Sequence, residues 1–225
     1  MRLFIRLLPV LTLSILFSAC SRRNGAGPSE SASDYFPLKP GNYWIYESWR
    51  VDANGNGQPG SYGSNPPAYD SVYAIADTVM GNRVFHRYCM PTGPGEQKYD
   101  TWSVSDSGDY LIEPGNHIQL ALKDSATSFM FRSYEQPLFS NDSAATVSYK
   151  LEGQRLQSTP AGITPTLSMA YIWNFYPFAA QHQPASQRVQ SVRFAKGIGM
   201  VSQTLPFYMS DSLYVQRRLL RYHLQ

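Results

Sequence analysis

The chain reads as an all-β protein. It predicts an antiparallel curved sheet, drawn as a half-barrel, barrel or sandwich of about nine or ten short strands, behind a disordered N-terminal tether. Three observations predict this. Aromatic residues make up 14% of the 225 residues, and they favour pleated, half-buried surfaces. Glycine and proline number 16 each, enough to punctuate many short elements. Alternating segments are separated by turn signals, and no regular helix–strand alternation supports a parallel sheet. A hydrophobic content of 43% is enough for a core.

Residues 1–19 read as a lipoprotein signal peptide. Arg2 and Arg6 make a positive start, Leu7 to Phe17 is an apolar stretch, and Ser18 and Ala19 are small residues before Cys20. The apolar part is too short for a comfortable membrane span. Leu16-Phe17-Ser18-Ala19-Cys20 resembles a lipobox, with Phe17 where leucine is commoner. Cys20 is therefore the expected lipidation site, and acyl chains there are the expected link to the membrane, at about 0.8 kcal/mol per buried methylene. Ser21 follows the cysteine, without an aspartate that would favour inner-membrane retention, and Arg22-Arg23 replace the acidic residues often used for surface export. The expected location is the outer membrane, periplasmic face, with the cell surface as the alternative. Residues 20–34 are small and polar and read as a flexible tether; residues 35–225 read as a single β-rich domain.

Along that domain, 42–51 alternates with aromatic residues on both faces. Residues 71–79 and 83–90 form the clearest hairpin, around Gly81-Asn82. Shorter strands are expected over 97–105, 109–113, 117–123 and 127–134. Longer ones are expected over 145–156 and 164–178, the second with a helical alternative. Residues 187–194, 200–205 and 213–224 close the series, and the last, carrying Arg217, Arg218 and Arg221, has a basic helix as its alternative.

The formal charge is +3, and loss of Arg2 and Arg6 with the signal peptide leaves about +1. No basic stripe interleaved with aromatics is present, so nucleic acid is excluded as a partner. With Cys20 acylated, Cys89 is alone, no intrachain disulfide forms, and a buried structural thiol is expected.

The chemical motifs are weak. Gly55-Asn56-Gly57-Gln58-Pro59-Gly60 matches a dinucleotide string, but Pro59 and more loop residues follow where a helix should start. Asp52, Asn54 and Asn56 resemble half of a calcium loop, but the twelfth place holds Gly63 instead of a bidentate acid. His86, His117, His182 and His223 have no zinc-type spacing. His86 should lie on the opposite strand face from Cys89, which leaves the thiol without an activating base. No G-x-S-x-G elbow occurs. No cofactor and no catalytic residue is expected. The aromatic residues Tyr43, Trp44, Tyr46, Trp49, Tyr171 and Trp173 remain as core or as the lining of a groove for lipid or glycan.

A resemblance adds to this. Tyr35-Phe36-Pro37-Leu38-Lys39-Pro40-Gly41-Asn42-Tyr43-Trp44-Ile45-Tyr46, with Thr159-Pro160-Ala161-Gly162 and Phe194-Ala195-Lys196-Gly197-Ile198-Gly199-Met200-Val201, is similar to uncharacterised outer-membrane lipoproteins of Bacteroidetes-type bacteria. The residues after Gly162 depart from the Pro-Ala-Gly-Thr-Phe form of that group. The resemblance implies an antiparallel, half-barrel-like domain and carries over no catalytic residue. The expected role is a membrane-anchored, non-enzymatic envelope module, structural or partner-binding. A hydrophobic-ligand binder is the alternative, and a hydrolase built from dispersed acids the third reading.

Overall fold

The computed structural model describes residues 30–52, 56–57, 67–91, 99–115, 117–123, 129–131, 145–175, 187–206 and 213–225. These residues are almost entirely strand: β1 (Tyr43–Asp52), β2 (Ala68–Met80), β3 (Arg83–Pro91), β4 (Tyr99–Asp106), β5 (Tyr110–Ile112), β6 (Ile118–Ala121), β7 (Phe129–Phe131), β8 (Ala145–Thr159), β9 (Gly162–Phe175), β10 (Gln187–Ala195), β11 (Gly199–Pro206) and β12 (Leu213–His223). All pairings are antiparallel, in the order β6-β5-β4-β3-β2-β1-β12-β11-β10-β9-β8-β7. There are twelve described strands instead of nine or ten. Three of them, β5 to β7, have only three or four residues, while β8 and β9 run to 15 and 14. Of the short strands, β7 pairs with the long β8, while β5 and β6 pair with each other beside β4.

Two six-stranded meanders run outward from the centre, where β1 pairs with β12 over the length of both. Sheet twist curls the ends toward each other. Edge strand β6 lies against β9, where the Tyr171 hydroxyl donates to the Gln119 carbonyl at 2.5 Å and the Ala121 amide donates to Met169 Sδ at 3.4 Å. The result is a nearly closed, barrel-like sheet.

Both helical alternatives give way to strands. In β12 the side chains alternate, with Leu219 and Arg217 buried on the inner face and Arg218 on the outer face opposite Glu47. A helix would have put Arg217 and Arg218 on neighbouring positions of one surface, and pairing with two flanking strands selects the period of two. The hairpin between β2 and β3 turns at Gly81-Asn82, with φ +61° at Gly81.

The folded part begins earlier than Tyr35. Residues Ala32–Tyr35 form a 3-10 turn with Ala32 fully buried. The Ala32 amide donates to the Gly108 carbonyl at 2.8 Å, and the Gly197 amide donates to the Asp34 carbonyl at 2.6 Å. Ser31 Oγ donates to the Asp106 carboxylate at 2.9 Å. A tether extending through Asp34 is therefore too long. Small polar residues need no apolar face of their own to be held when backbone groups and a neighbouring anchor hold them. That anchor is Phe36, whose ring lies 5.7 Å from Trp44, 5.4 Å from Tyr88 and 6.1 Å from Phe194. The segment closes the rim that carries the tight turns at 107–109 and 196–198. Strand ends Asp52, Pro91, Phe175 and Pro206 lie at the other end.

Candidate functional site

The core near the plugged rim is aromatic. Trp44 and Tyr46 are fully buried. The Trp44 indole donates to the Ile198 carbonyl at 2.5 Å, and the Tyr46 hydroxyl donates to the Met200 carbonyl at 2.8 Å. Burial pushes the Tyr46 hydroxyl pKa up. The stretches around Phe36–Trp44 and Gly197–Met200, far apart in sequence, thus meet in space. Gly199 is where they touch: it has φ +111°, and a Cβ there would sit 3.0 Å from Trp44 Nε1 and 3.3 Å from Phe36. Only glycine combines that conformation with that approach. The tip of the β8–β9 hairpin serves a third contact. A register shift in the β1–β12 ladder leaves the Leu219 carbonyl available to the Ala161 amide at 3.2 Å.

Of the six aromatic candidates for a groove, Trp44 and Tyr46 are therefore core pillars whose polar atoms are already engaged. Tyr43 and Trp49 point to the outer face. Tyr43 stacks on His223 with ring centroids 5.5 Å apart, and Trp49 lies 5.6 Å below the Arg218 guanidinium. Tyr171 and Trp173 lie on the inner face, with the Tyr171 hydroxyl engaged by the Gln119 carbonyl. The sequence pattern could not sort these six, because 42–51 is aromatic at both parities, and a strand's faces are told apart only by what packs on them.

Below the Met169 level the inner face changes character. Cross-strand register places Met169, Val192, Gln203, Arg217 and Ser48 in one row. Two residues further along each strand come Tyr149, Tyr171, Gln190, Val215 and Arg50, and then Trp173 paired with Arg188. Arg188 is 4% exposed and Arg217 2%. The Arg217 guanidinium lies 4.2 Å from the centre of the Tyr46 ring and is salt-bridged to the fully buried Asp70 side chain. Arg217 enters the sequence reading only through the basic-helix alternative, and Arg50 and Arg188 do not enter it. The available signal was the parity Arg188-x-Gln190-x-Val192-x-Phe194, which ties a charge to two core positions.

The inner face also receives Glu113, next to β5. Burial raises its carboxyl from 4.5 to about 7. Its charge in turn acts on the Tyr88 and Tyr171 hydroxyls, which burial already pushes up. The raised value means that the fold holds the proton more tightly than the unfolded chain does. The stability contribution is thus complete below pH 4.5 and is lost as pH rises toward 7. Glu113→Gln is expected to leave stability unchanged near pH 4.5. Above pH 7 it should raise it by about 2–3 kcal/mol, allowing for partial solvent access. Urea unfolding at the two pH values measures this, and an equal effect at both would refute it.

On the outer face, Tyr43, Tyr73 and Cys89 form one register row, and the Tyr73 ring lies 6.2 Å from Tyr99. Tyr43, Tyr73 and Tyr99 are each about two-fifths exposed, and Tyr69 is more so. Cys89 is half-buried on this face, 3.6 Å from Thr101 Oγ1, which corrects the expectation of a buried thiol. Its hydrogen bond holds the Tyr73 hydroxyl above its usual range. His86 lies on the opposite face. Its Nδ1 is 2.9 Å from Asp77 Oδ1, and the pair lines a cleft of about 270 Å³ with Ser33, Phe36, Leu38 and Leu111.

Of the calcium-like residues, Asp52 and Asn56 are hydrogen-bonded to each other. The Asp52 carboxylate accepts from the Asn56 amide at 2.9 Å and from Asn56 Nδ2 at 3.0 Å. Asn54, Cys20, His182 and most of the Gly55–Gly60 string lie outside the described residues. Among the described residues no three metal-ligating side chains cluster.

No protein-family model and no curated protein matches the chain. Two solved structures match 84% of it: a candidate lipoprotein of Parabacteroides distasonis, over 98% of that protein's chain, and a candidate exported protein of Bacteroides fragilis with a YmcC-like fold, over 99%. Each has a TM-score of 0.48 and 12% identity.

Proposed function

We propose that this chain is a lipid-anchored envelope protein, held through Cys20 on the periplasmic face of the outer membrane, whose β domain is a non-enzymatic partner-binding module. The observation that carries the binding role is the exposed outer row of Tyr43, Tyr73 and Tyr99 beside Tyr69 and His223. Tyrosine offers large, rigid, amphipathic contact area with few torsions to freeze, and contiguous exposed aromatics mark interaction sites. The anchor is supported by the signal peptide and lipobox-like ending before Cys20. The chain from Cys20 to Glu30 reaches at most about 35 Å, so the plugged rim stays close to the bilayer.

Cys20→Ser tests the anchor. Labelled palmitate incorporation should vanish and the protein should move from the membrane to the soluble fraction; unchanged fractionation would overturn the reading. For the binding face, a photo-crosslinker placed at Tyr73 should give a discrete adduct in cells. The same probe at Leu156, which is 75% exposed on the β8–β9 hairpin and outside the tyrosine row, should not. Identical patterns from both positions would remove the outer row from consideration.

A further inference from the structure

We infer that the tip of the β2–β3 hairpin, carrying Val79, Met80 and Val84, dips into the interface of the bilayer to which the chain is anchored. The contact rests on acylation of Cys20 and adds to it a second point of attachment, made by the folded domain.

Among the described residues, the end of this hairpin pairs only with itself. Strand β1 accompanies β2 as far as Tyr73, and β4 accompanies β3 from His86 onward. The remaining pairs are Thr78 with Phe85, Val79 with Val84 and Met80 with Arg83. His86 Nδ1 and Asp77 Oδ1, 2.9 Å apart, clasp the base, and Phe85 is buried there. Past that level the apolar side chains are uncovered. Val79 is 69% exposed, Val84 49% and Met80 38%. A Cβ added at Gly81 would meet nothing within 4 Å. Apolar residues scattered singly over a surface are ordinary, but three of them within residues 79–84 form a patch.

Four observations favour lipid as the occupant. The first is how the patch divides between faces. Val79 and Val84 form a cross-strand pair on one face, while Met80 and Arg83 stand on the other. A partner laid against one face would leave the other in water, whereas entry tip-first into a bilayer covers both. The second is depth. From the Val79–Val84 pair to the turn the strands rise about 7 Å, within the roughly 5–10 Å over which interfacial elements bury apolar side chains. The third is place. His86 lies opposite Val104, so the hairpin turns at the rim of the 107–109 turn, where the Ala32 amide meets the Gly108 carbonyl. The chain leaves for Cys20 from that same rim, and its reach of at most about 35 Å keeps the lipid near the tip. The fourth is charge. Thr78 to Phe85 contains no acid and one cation, Arg83, and the tether carries Arg22 and Arg23. Arginine can lay its stem along apolar neighbours and keep its guanidinium among anionic headgroups. The tether also fixes a high effective concentration, so a shallow contact is enough to be occupied.

The test places the acylated full-length chain in vesicles of phosphatidylethanolamine and phosphatidylglycerol. A photoreactive diazirine amino acid stands at Val84 or, as the control, at Val189. Val189 is 44% exposed and lies near the Gln187 end of β10, which pairs beside Phe175 at the opposite end of the barrel. After illumination, mass spectrometry should find phospholipid adducts at position 84 at least about fivefold above those at position 189. Val79→Glu with Met80→Glu should lower the yield at position 84 by about fivefold, because carboxylates resist leaving water. Both side chains are exposed, so the urea midpoint should stay in place; if it falls, Met80→Glu alone serves. A chain found without acyl mass would remove the anchor, and this contact with it. Three results would overturn the hairpin contact and leave the anchor standing: equal lipid yields at the two positions in an acylated, vesicle-bound chain, protein adducts in place of lipid at position 84, or a yield unchanged by the glutamates.

Discussion

Asp70→Ala should destabilise the fold by about 3–5 kcal/mol, because it leaves a buried guanidinium without its counter-ion. The Asp70 side chain is fully buried and that of Arg217 is 2% exposed. The Tyr46 ring beside Arg217 offers a favourable face at 4.2 Å, but a cation–π contact contributes only about 1–2 kcal/mol and cannot replace a carboxylate. The pair also spans the seam of the sheet: Asp70 is on β2, opposite Tyr46 of β1, and Arg217 is on β12, opposite Ser48 of β1. Losing it should therefore weaken the junction of the two meanders. The double variant Asp70→Leu with Arg217→Met discriminates the cause. If the loss comes from an orphaned charge, the double variant should recover most of the stability lost in Asp70→Ala. Urea midpoints measure both, and a double variant as unstable as the single one would refute the explanation.

Trp44→Ala should cost about 3–5 kcal/mol, within the range for emptying a fully buried aromatic site. Three losses combine. The indole leaves a cavity that its rigid neighbours cannot close, since Gly199 has no side chain to offer and Phe36 is already packed against Tyr88 and Phe194. The Ile198 carbonyl loses its 2.5 Å donor. The N-terminal plug, held through Phe36, loses one of its three ring contacts. Trp44→Phe fills much of the space but still drops the hydrogen bond, so it should fall between, at about 1–2 kcal/mol. A loss below about 1 kcal/mol for Trp44→Ala would mean that the two motifs do not depend on this contact.

Much of the local structure was legible in the residues. Gly81-Asn82 between two alternating runs specifies a hairpin, because few other dipeptides accept positive φ there. Two glycines one residue apart in a strand-like stretch, Gly197 and Gly199, signal a bulge or close approach, and Gly199 is the close approach. Strand existence followed from alternation and aromatic content. What misled was symmetry. The segment 42–51 is aromatic at both parities, so nothing in it says that Trp44 and Tyr46 face inward while Tyr43 and Trp49 face outward. For β12, alternation favours a strand with a basic helix as the alternative, and neither says that pairing sends the Arg217 guanidinium into the core and that of Arg218 out to Glu47, 2.7 Å away. The plug was invisible because Ser31 to Asp34 has the composition of a linker, and it is ordered by carbonyls and amides contributed from Gly108 and Gly197.

The sequence alone determined that this chain is β-rich and antiparallel, where its main turns fall, and that its first twenty residues read as an export and lipidation signal. These are properties of neighbouring residues, set by backbone torsions and alternation over a few positions. Strand order, the seam between the first and last strands, the plugged rim and the arginines on the inner face were decided by the tertiary structure. Each of these depends on which distant strand supplies the partner, and register fixes the inward face only once that partner is in place.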